Sequence, residues 1–308
     1  MRIAHLSDLH VLALENVGVG RFLNKRLTGY ANLRFKRNHI HRPGHVRAIL
    51  REVARLAVDH VVITGDLTNL ALETEFEAAL EMIRAELGFP APSVSVVPGN
   101  HDFYTRGAER SGRFLHYFRP FTTSDLELGD KEAFPFVRFR GPLAIIGLNT
   151  ALARAPLFAN GKVGDAQLAR LARILAHPEL RRRVPVILAH HPIYNPERTR
   201  RRIMTGLEDA LNVNRALTSL EEGVFLHGHL HTRAHRVCKT SAGRIDIIGA
   251  TSASLQHEDG ERTAGFNVYQ FAPNGFLAGV EAHILETDKG TFRIREIPKA
   301  NVELSLVS

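Results

Sequence analysis

The 308-residue sequence has no tryptophan, five tyrosines and a single cysteine, Cys238. One cysteine excludes an intrachain disulfide and is compatible with a reducing compartment. Scarce Trp and Tyr leave little for stacking on unpaired bases. No added DNA-binding module or coiled coil is visible either, so a nucleic acid partner is not expected. No uninterrupted apolar stretch is long enough to span a bilayer. The opening residues Met1-Arg2-Ile3-Ala4-His5-Leu6 enter a strand at once and leave no room for a signal peptide. A soluble, cytoplasmic protein is the expectation. Repeats, linkers and low-complexity stretches are absent, which points to one folded domain over residues 1–308.

A second absence is local. Residues 16–51 contain no Asp or Glu but carry Arg21, Lys25, Arg26, Arg34, Lys36, Arg37, Arg42, Arg47 and Arg51. Phe22, Leu23, Leu27, Tyr30, Leu33, Phe35 and Ile40 are interleaved with them. The segment 16–44 reads as a basic amphipathic insertion, broken near Gly29 and ended by Pro43-Gly44. Such a mixture suits an anionic membrane face or the headgroup of a lipid-like substrate; an ordinary surface excursion would look the same. The whole chain carries a net charge of +8 and a pI of about 10. That favours anionic partners, phosphoester substrates among them.

What is present is a series of short apolar runs that end in polar residues. Residues 2–7 form a strand ending in Asp8-Leu9-His10, whose alternation is expected to place Asp8 and His10 on one side of an extended chain. Residues 60–64 form a strand ending in Gly65-Asp66. Val94 to Val97 is broken by Pro98-Gly99 and presents Asn100, His101 and Asp102 on a loop. A strand over 185–189 ends in His190-His191-Pro192, and a short one over 224–226 ends in His227-Gly228-His229-Leu230-His231. Helices are expected over 45–58, 73–87, 109–118, 165–175 (with Asp165 as N-cap) and 207–220. Two strands flank Gly141-Pro142, and the last quarter is nearly all strand. Alternating strands and helices followed by strands argue for an α/β sandwich of mixed sheets.

The polar residues at these strand ends are Asp8, His10, Asp66, Asn100, His190, His229 and His231. They are oxygen and imidazole donors without a thiolate, enough for two divalent metals. Buried without metal, such a set would leave several groups without partners. Taken together, Asp8-x-His10, Gly65-Asp66, Gly99-Asn100-His101-Asp102, His190 and Gly228-His229-x-His231 resemble the five signature blocks of the calcineurin-like metallophosphoesterases, in the family's order. The resemblance implies a four-layer αββα sandwich with a two-metal site at the sheet edge. It implies that Asp8, His10 and His231 hold the first metal, that Asn100, His190 and His229 hold the second, and that Asp66 bridges them. His190 is preferred to His191 because the family's ligand lies two residues before the proline. His101 and Asp102 match the family's proton-handling pair, with Asp102 expected to hold His101. The metals would be manganese, iron, zinc or cobalt, with manganese favoured.

The chemistry agrees. Two metals about 3.5–4 Å apart lower the pKa of a bridging water, neutralise phosphoryl oxygens and align an in-line displacement. His101 would protonate the leaving group or stabilise its charge. His5, His60, His227, His235 and His283 are expected to be packed, His191 to stand behind the ligands, and His39, His41 and His45 to hold no third metal. Asn69 is a loop residue that would touch substrate. The resemblance gives the reaction and leaves the substrate open. The first basic segment and a second cluster, Arg198, Arg200, Arg201 and Arg202, would form an anion funnel. The amphipathic segment is similar to insertions in bacterial enzymes that cleave the pyrophosphate of UDP-2,3-diacylglucosamine, which implies peripheral contact with the inner membrane face. A cyclic-nucleotide or other small phosphodiesterase is the alternative reaction. A non-catalytic scaffold is the alternative class, and it would be expected to have lost ligands that are all present here.

Overall fold

Alternating burial along the central strands gives the layers. In β5 (Leu143–Gly147) and β6 (Val184–Leu188), Leu143, Ile145, Val184, Val186 and Leu188 join a core shared with Ile3, Val61 and Val96 of the other sheet. Ala144, Ile146 and Ile187 face the opposite way, into a second core beneath helices. Period-two side-chain alternation on a sheet buried on both faces produces this pattern. The computed structural model describes residues 1–15, 17–22, 25–27, 41–129, 131–196, 198–297 and 303–305. Residues 28–40, the middle of the expected amphipathic insertion and including His39, lie outside the described residues.

The first sheet has the order β12 (Thr291–Glu296), β11 (Leu277–Glu286), β10 (Gly265–Phe271), β1 (Arg2–Leu6), β2 (His60–Thr64), β3 (Val94–Val97). Strands β1, β2 and β3 are parallel and the others antiparallel. The second sheet has the order β13 (Glu303–Ser305), β8 (Ala234–Lys239), β9 (Arg244–Gly249), β7 (Glu222–His227), β6, β5, β4 (Phe136–Arg140). Its centre, β9, β7, β6 and β5, is parallel. Helices α1 (Pro43–Arg55) and α2 (Glu73–Leu87) cover the first sheet, and α5 (Asp165–Leu175) and α7 (Ala210–Leu217) the second. The result is the four-layer αββα sandwich.

Two local expectations are corrected. The helix expected over 109–118 is two short ones, α3 (Arg106–Arg110) and α4 (Arg113–Phe118), because Gly112 takes a φ of 62° and breaks the run. The N-cap of α5 is Gly164, and Asp165 is its first helical residue, where its charge still meets the helix dipole.

Register brings the loop-bearing ends together. Leu6 pairs with Ile63 and Thr64 with Val97, so β1, β2 and β3 stop at one level. Leu188 pairs with Leu226 in the second sheet. Bonds between the sheets close this end: His190 Nδ1 meets the Thr64 carbonyl at 2.7 Å, and the Ala253 amide donates to the Ser7 carbonyl at 2.8 Å. No helix among the described residues is long and apolar enough to cross a membrane.

Candidate metal centre

Asp8, His10, Asp66, His229 and His231 all have positive φ, between 48° and 64°. Non-glycine residues rarely adopt this left-handed conformation, at about 1 kcal/mol or more each, and such strain concentrates at functional sites. It also corrects one expectation. Strand β1 ends at Leu6, and Asp8 and His10 do not converge by extended-chain alternation; both turn through left-handed backbone.

Each carboxylate commits one oxygen to the protein and turns the other inward. Asp8 Oδ2 accepts from Ser7 Oγ at 2.6 Å and from the His229 amide at 3.1 Å. Asp8 Oδ1 faces His231 Nε2 at 2.9 Å. Asp66 Oδ1 accepts from the His101 amide at 2.8 Å, while Oδ2 lies 3.3 Å from His190 Nε2 and 3.9 Å from His10 Nε2. Asn100 Oδ1 meets the same His190 Nε2 at 3.1 Å. The two glycines of these blocks are there for close approach. A Cβ on Gly228 would strike Ser7 Oγ and Asp8 Oδ2, and one on Gly99 would strike the Asp66 carboxylate.

Among the described residues three overlapping sets bring ligand atoms within 4.8 Å of one another: Asp8, Asp66 and His190; His10, Asp66 and His101; His10, His41 and His231. Asp66 belongs to two of them. His229 turns its Nε2 to the Thr205 carbonyl at 2.9 Å, which leaves Nδ1 as the nitrogen for a metal. The electrostatics match a cation site. Burial pulls the His190 pKa down, but Asp66 and Asp8 outweigh it and push it up to about 9. Burial would raise Asp8, and His231 and His190 instead hold it well below the usual carboxylate range. Buried carboxylate oxygens and imidazole nitrogens that converge in a field strong enough to favour positive charge fit divalent cations.

Asp102 does not hold His101. Its carboxylate accepts from the amides of Leu67, Thr68 and Gly99 and from Thr68 Oγ1, at 2.9–3.2 Å, and so ties the β2 loop to the β3 loop. Burial, with Asp66 adding to it, raises its pKa to about 7. The His101 ring is oriented by a backbone atom instead: Nδ1 donates to the Asn69 carbonyl at 2.7 Å. Asn69 is buried and its amide donates to the His10 carbonyl at 2.5 Å, so it positions two site histidines. The other histidines take packed places. His5 bridges Tyr269 and Thr64, His60 meets Ser95, and His235 meets Asp246. His191 lies between Thr150 Oγ1 and the Ala159 carbonyl, with its ring 4.4 Å from that of His229. Ser7, Thr64, Thr205, Ser252 and Ser254 support the site, and as ordinary polar residues they carry no signature that sequence reasoning could read.

The described part of the basic segment reaches this centre. Lys25 Nζ sits 4.4 Å over the Tyr104 ring, which stacks on His101 with centroids 5.5 Å apart. Arg26 is buried and donates to the carbonyls of Leu70 and Ala71.

Comparison with known proteins agrees. The family model for calcineurin-like phosphoesterases matches residues 1–233, and the chain belongs to that family of phosphoester hydrolases. A dimetal phosphatase from Danio rerio is similar in fold, with TM-score 0.57, 17% identity, and coverage of 96% of this chain and 95% of that one. A purple acid phosphatase from yellow lupin (Lupinus luteus) seeds is also similar, with TM-score 0.54, 12% identity, and coverage of 98% and 54%. A search of the curated proteins found no match. The family brings a binuclear divalent metal centre, and the donor set described above fits one.

Proposed function

We propose that the chain hydrolyses a phosphodiester or pyrophosphate bond with two divalent ions, manganese favoured. Asp8, His10 and His231 would hold the first ion, Asn100, His190 and His229 the second, and Asp66 both. The observation that carries this reading is Asp66 Oδ2, placed between His190 Nε2 at 3.3 Å and His10 Nε2 at 3.9 Å. When bound, the ions supply a nucleophile at neutral pH and neutralise the phosphoryl oxygens. The chain's own groups do the rest. Thr64 fixes His190 through Nδ1, which aims Nε2 inward. Asn69 fixes His101 in the same way, so that His101 Nε2 in its protonated form gives a proton to the leaving oxygen or stabilises its charge. Asp102 keeps the two loops in register.

The substrate class we favour is an anionic amphiphile, a lipid-linked nucleotide such as UDP-2,3-diacylglucosamine. Arg198, Arg200, Arg201 and Arg202 are exposed around helix α6 (Thr199–Thr205), the helix that ends at the Thr205 carbonyl behind His229. Ile203 is 57% exposed on the same helix, and Leu157 and Phe158 are exposed on the segment bonded to Met204. Charge beside apolar surface next to the site supports an amphiphile and peripheral contact with an anionic membrane face.

The test is hydrolysis in manganese of UDP-2,3-diacylglucosamine, cyclic AMP and bis-p-nitrophenyl phosphate, with Asp66→Ala as the blank. Preference for the lipid nucleotide supports both parts. Turnover of the cyclic nucleotide or the diester alone keeps the hydrolase and removes the lipid. No turnover with two ions bound favours a scaffold.

A further inference from the structure

His41 closes the basic segment, and the sequence pattern gave it no part in metal binding. Its ring nevertheless stands against the first half of the site. The centroid is 4.6 Å from that of His10 and 5.9 Å from that of His231, and the three residues offer ligand atoms within 4.8 Å of one another.

What holds the ring there is specific. Strand-like pairing joins His41 to Leu255, and the Arg42 amide donates to the Ser254 carbonyl at 2.9 Å. His41 Nδ1 meets Ser254 Oγ at 2.7 Å. Ser252 Oγ donates its one proton to the Asp8 carbonyl at 2.6 Å. Ser254 Oγ also lies 3.3 Å from the same carbonyl and 3.1 Å from Ser252 Oγ. When it gives its proton to either of these, it accepts from His41 Nδ1, and Nε2 then presents a lone pair. A ring with one nitrogen held by a hydroxyl while its other edge stands against two imidazoles of the site is the arrangement of a metal-ligating histidine. The same two serines hold the left-handed Asp8, so one hydroxyl pair sets both residues.

We propose that His41 Nε2 is an additional ligand to the first metal ion, beside Asp8, His10, His231 and Asp66. This rests on the two-metal reading above. It makes the end of the basic segment part of the coordination shell, so that seating of the segment and occupancy of the first ion favour each other. The donors added are one neutral nitrogen and no charge, which suits manganese, cobalt or zinc in a higher coordination number.

The experiment is titration of the metal-stripped full chain with Mn²⁺ by calorimetry and with Co²⁺ by visible absorption, for wild type, His41→Ala and His41→Gln. Both variants should weaken one of the two ions by about 10–100-fold and leave the other within twofold. The cobalt d–d bands of the weakened ion should change intensity, and millimolar imidazole should restore them in His41→Ala, which a merely structural role would not allow. Unchanged affinities and spectra in whichever variant melts like wild type overturn the proposal. A wild-type chain that binds fewer than two ions overturns it together with the reading on which it rests.

Discussion

Asp8, His10 and His231, at one end of the site, all take left-handed backbone, whereas at the other end His229 does so and Asn100 and His190 do not. In the first group Asp8 is held by hydroxyls, from Ser7, Ser252 and Ser254, and His10 and His231 are flanked by His41. The second is held by main-chain carbonyls, Thr64 behind His190 and Thr205 behind His229. A carbonyl inside the framework has little freedom, while a hydroxyl rotates and strained backbone relaxes if its partner goes. The second half is therefore the rigid one, and the first is tuned by its surroundings. The first ion should exchange more readily than the second.

The largest test removes what the halves share. Asp66→Ala should abolish the distinction, with neither ion held tightly and hydrolysis reduced on the order of a thousandfold, since metal ions contribute several kcal/mol. Metal analysis and initial rates on one sample check this; two tightly held ions in the variant would remove Asp66 from its central place. Gly228→Ala should split the halves. Its new Cβ strikes Ser7 Oγ and Asp8 Oδ2, so the first ion should weaken by about tenfold or more while the second persists. A titration that loses both sites equally would refute the division.

A third prediction concerns the loop that joins the halves. Glu75 accepts from the amides of Leu70 and Leu72, at 2.8 and 3.1 Å, and so clips the loop that carries Asn69. Burial raises its pKa from 4.5 to about 8, against the pull of those amides. The fold thus binds this proton more tightly than the unfolded chain does. Its stabilising effect is full below pH 4.5 and is lost as pH rises toward 8, on the order of a few kcal/mol in all. Glu75→Gln should flatten that dependence, and melting at pH 5 and pH 8 would reveal it. A variant as pH-sensitive as wild type across that window counts against the buried proton. The smallest effect is expected at the rim. Replacing Arg200, Arg201 and Arg202 by Ser should raise KM a few-fold at low salt with kcat unchanged, and the difference should vanish in high salt. A salt-independent change would mean direct contact instead of steering.

The sequence made the sandwich and the donor types legible because apolar runs and the residues that end them are local features. Seven donors could be located from strand ends without knowing how the ends curl. How they converge was not legible. Alternation suggested an extended Asp8-Leu9-His10, but a chain that must bring both side chains to one ion leaves the strand and coils left-handed. The neighbour Asp102 looked like the partner of His101. The actual partner is a carbonyl of Asn69, and a backbone acceptor has no signature in residue type. His41 carries no local signature either. Its value comes from Ser254, more than 200 residues away in the chain.

The two carboxylates of the site, Asp8 and Asp66, belong to loops of the first sheet, and His190, His229 and His231 to loops of the second. Ions held by both groups would staple one half of the sandwich to the other. Each tenfold rise in free ion above its dissociation constant would then add about 1.4 kcal/mol to the stability of the whole fold. The folded population of this protein would become a gauge of the free metal around it, independent of whether any substrate is present.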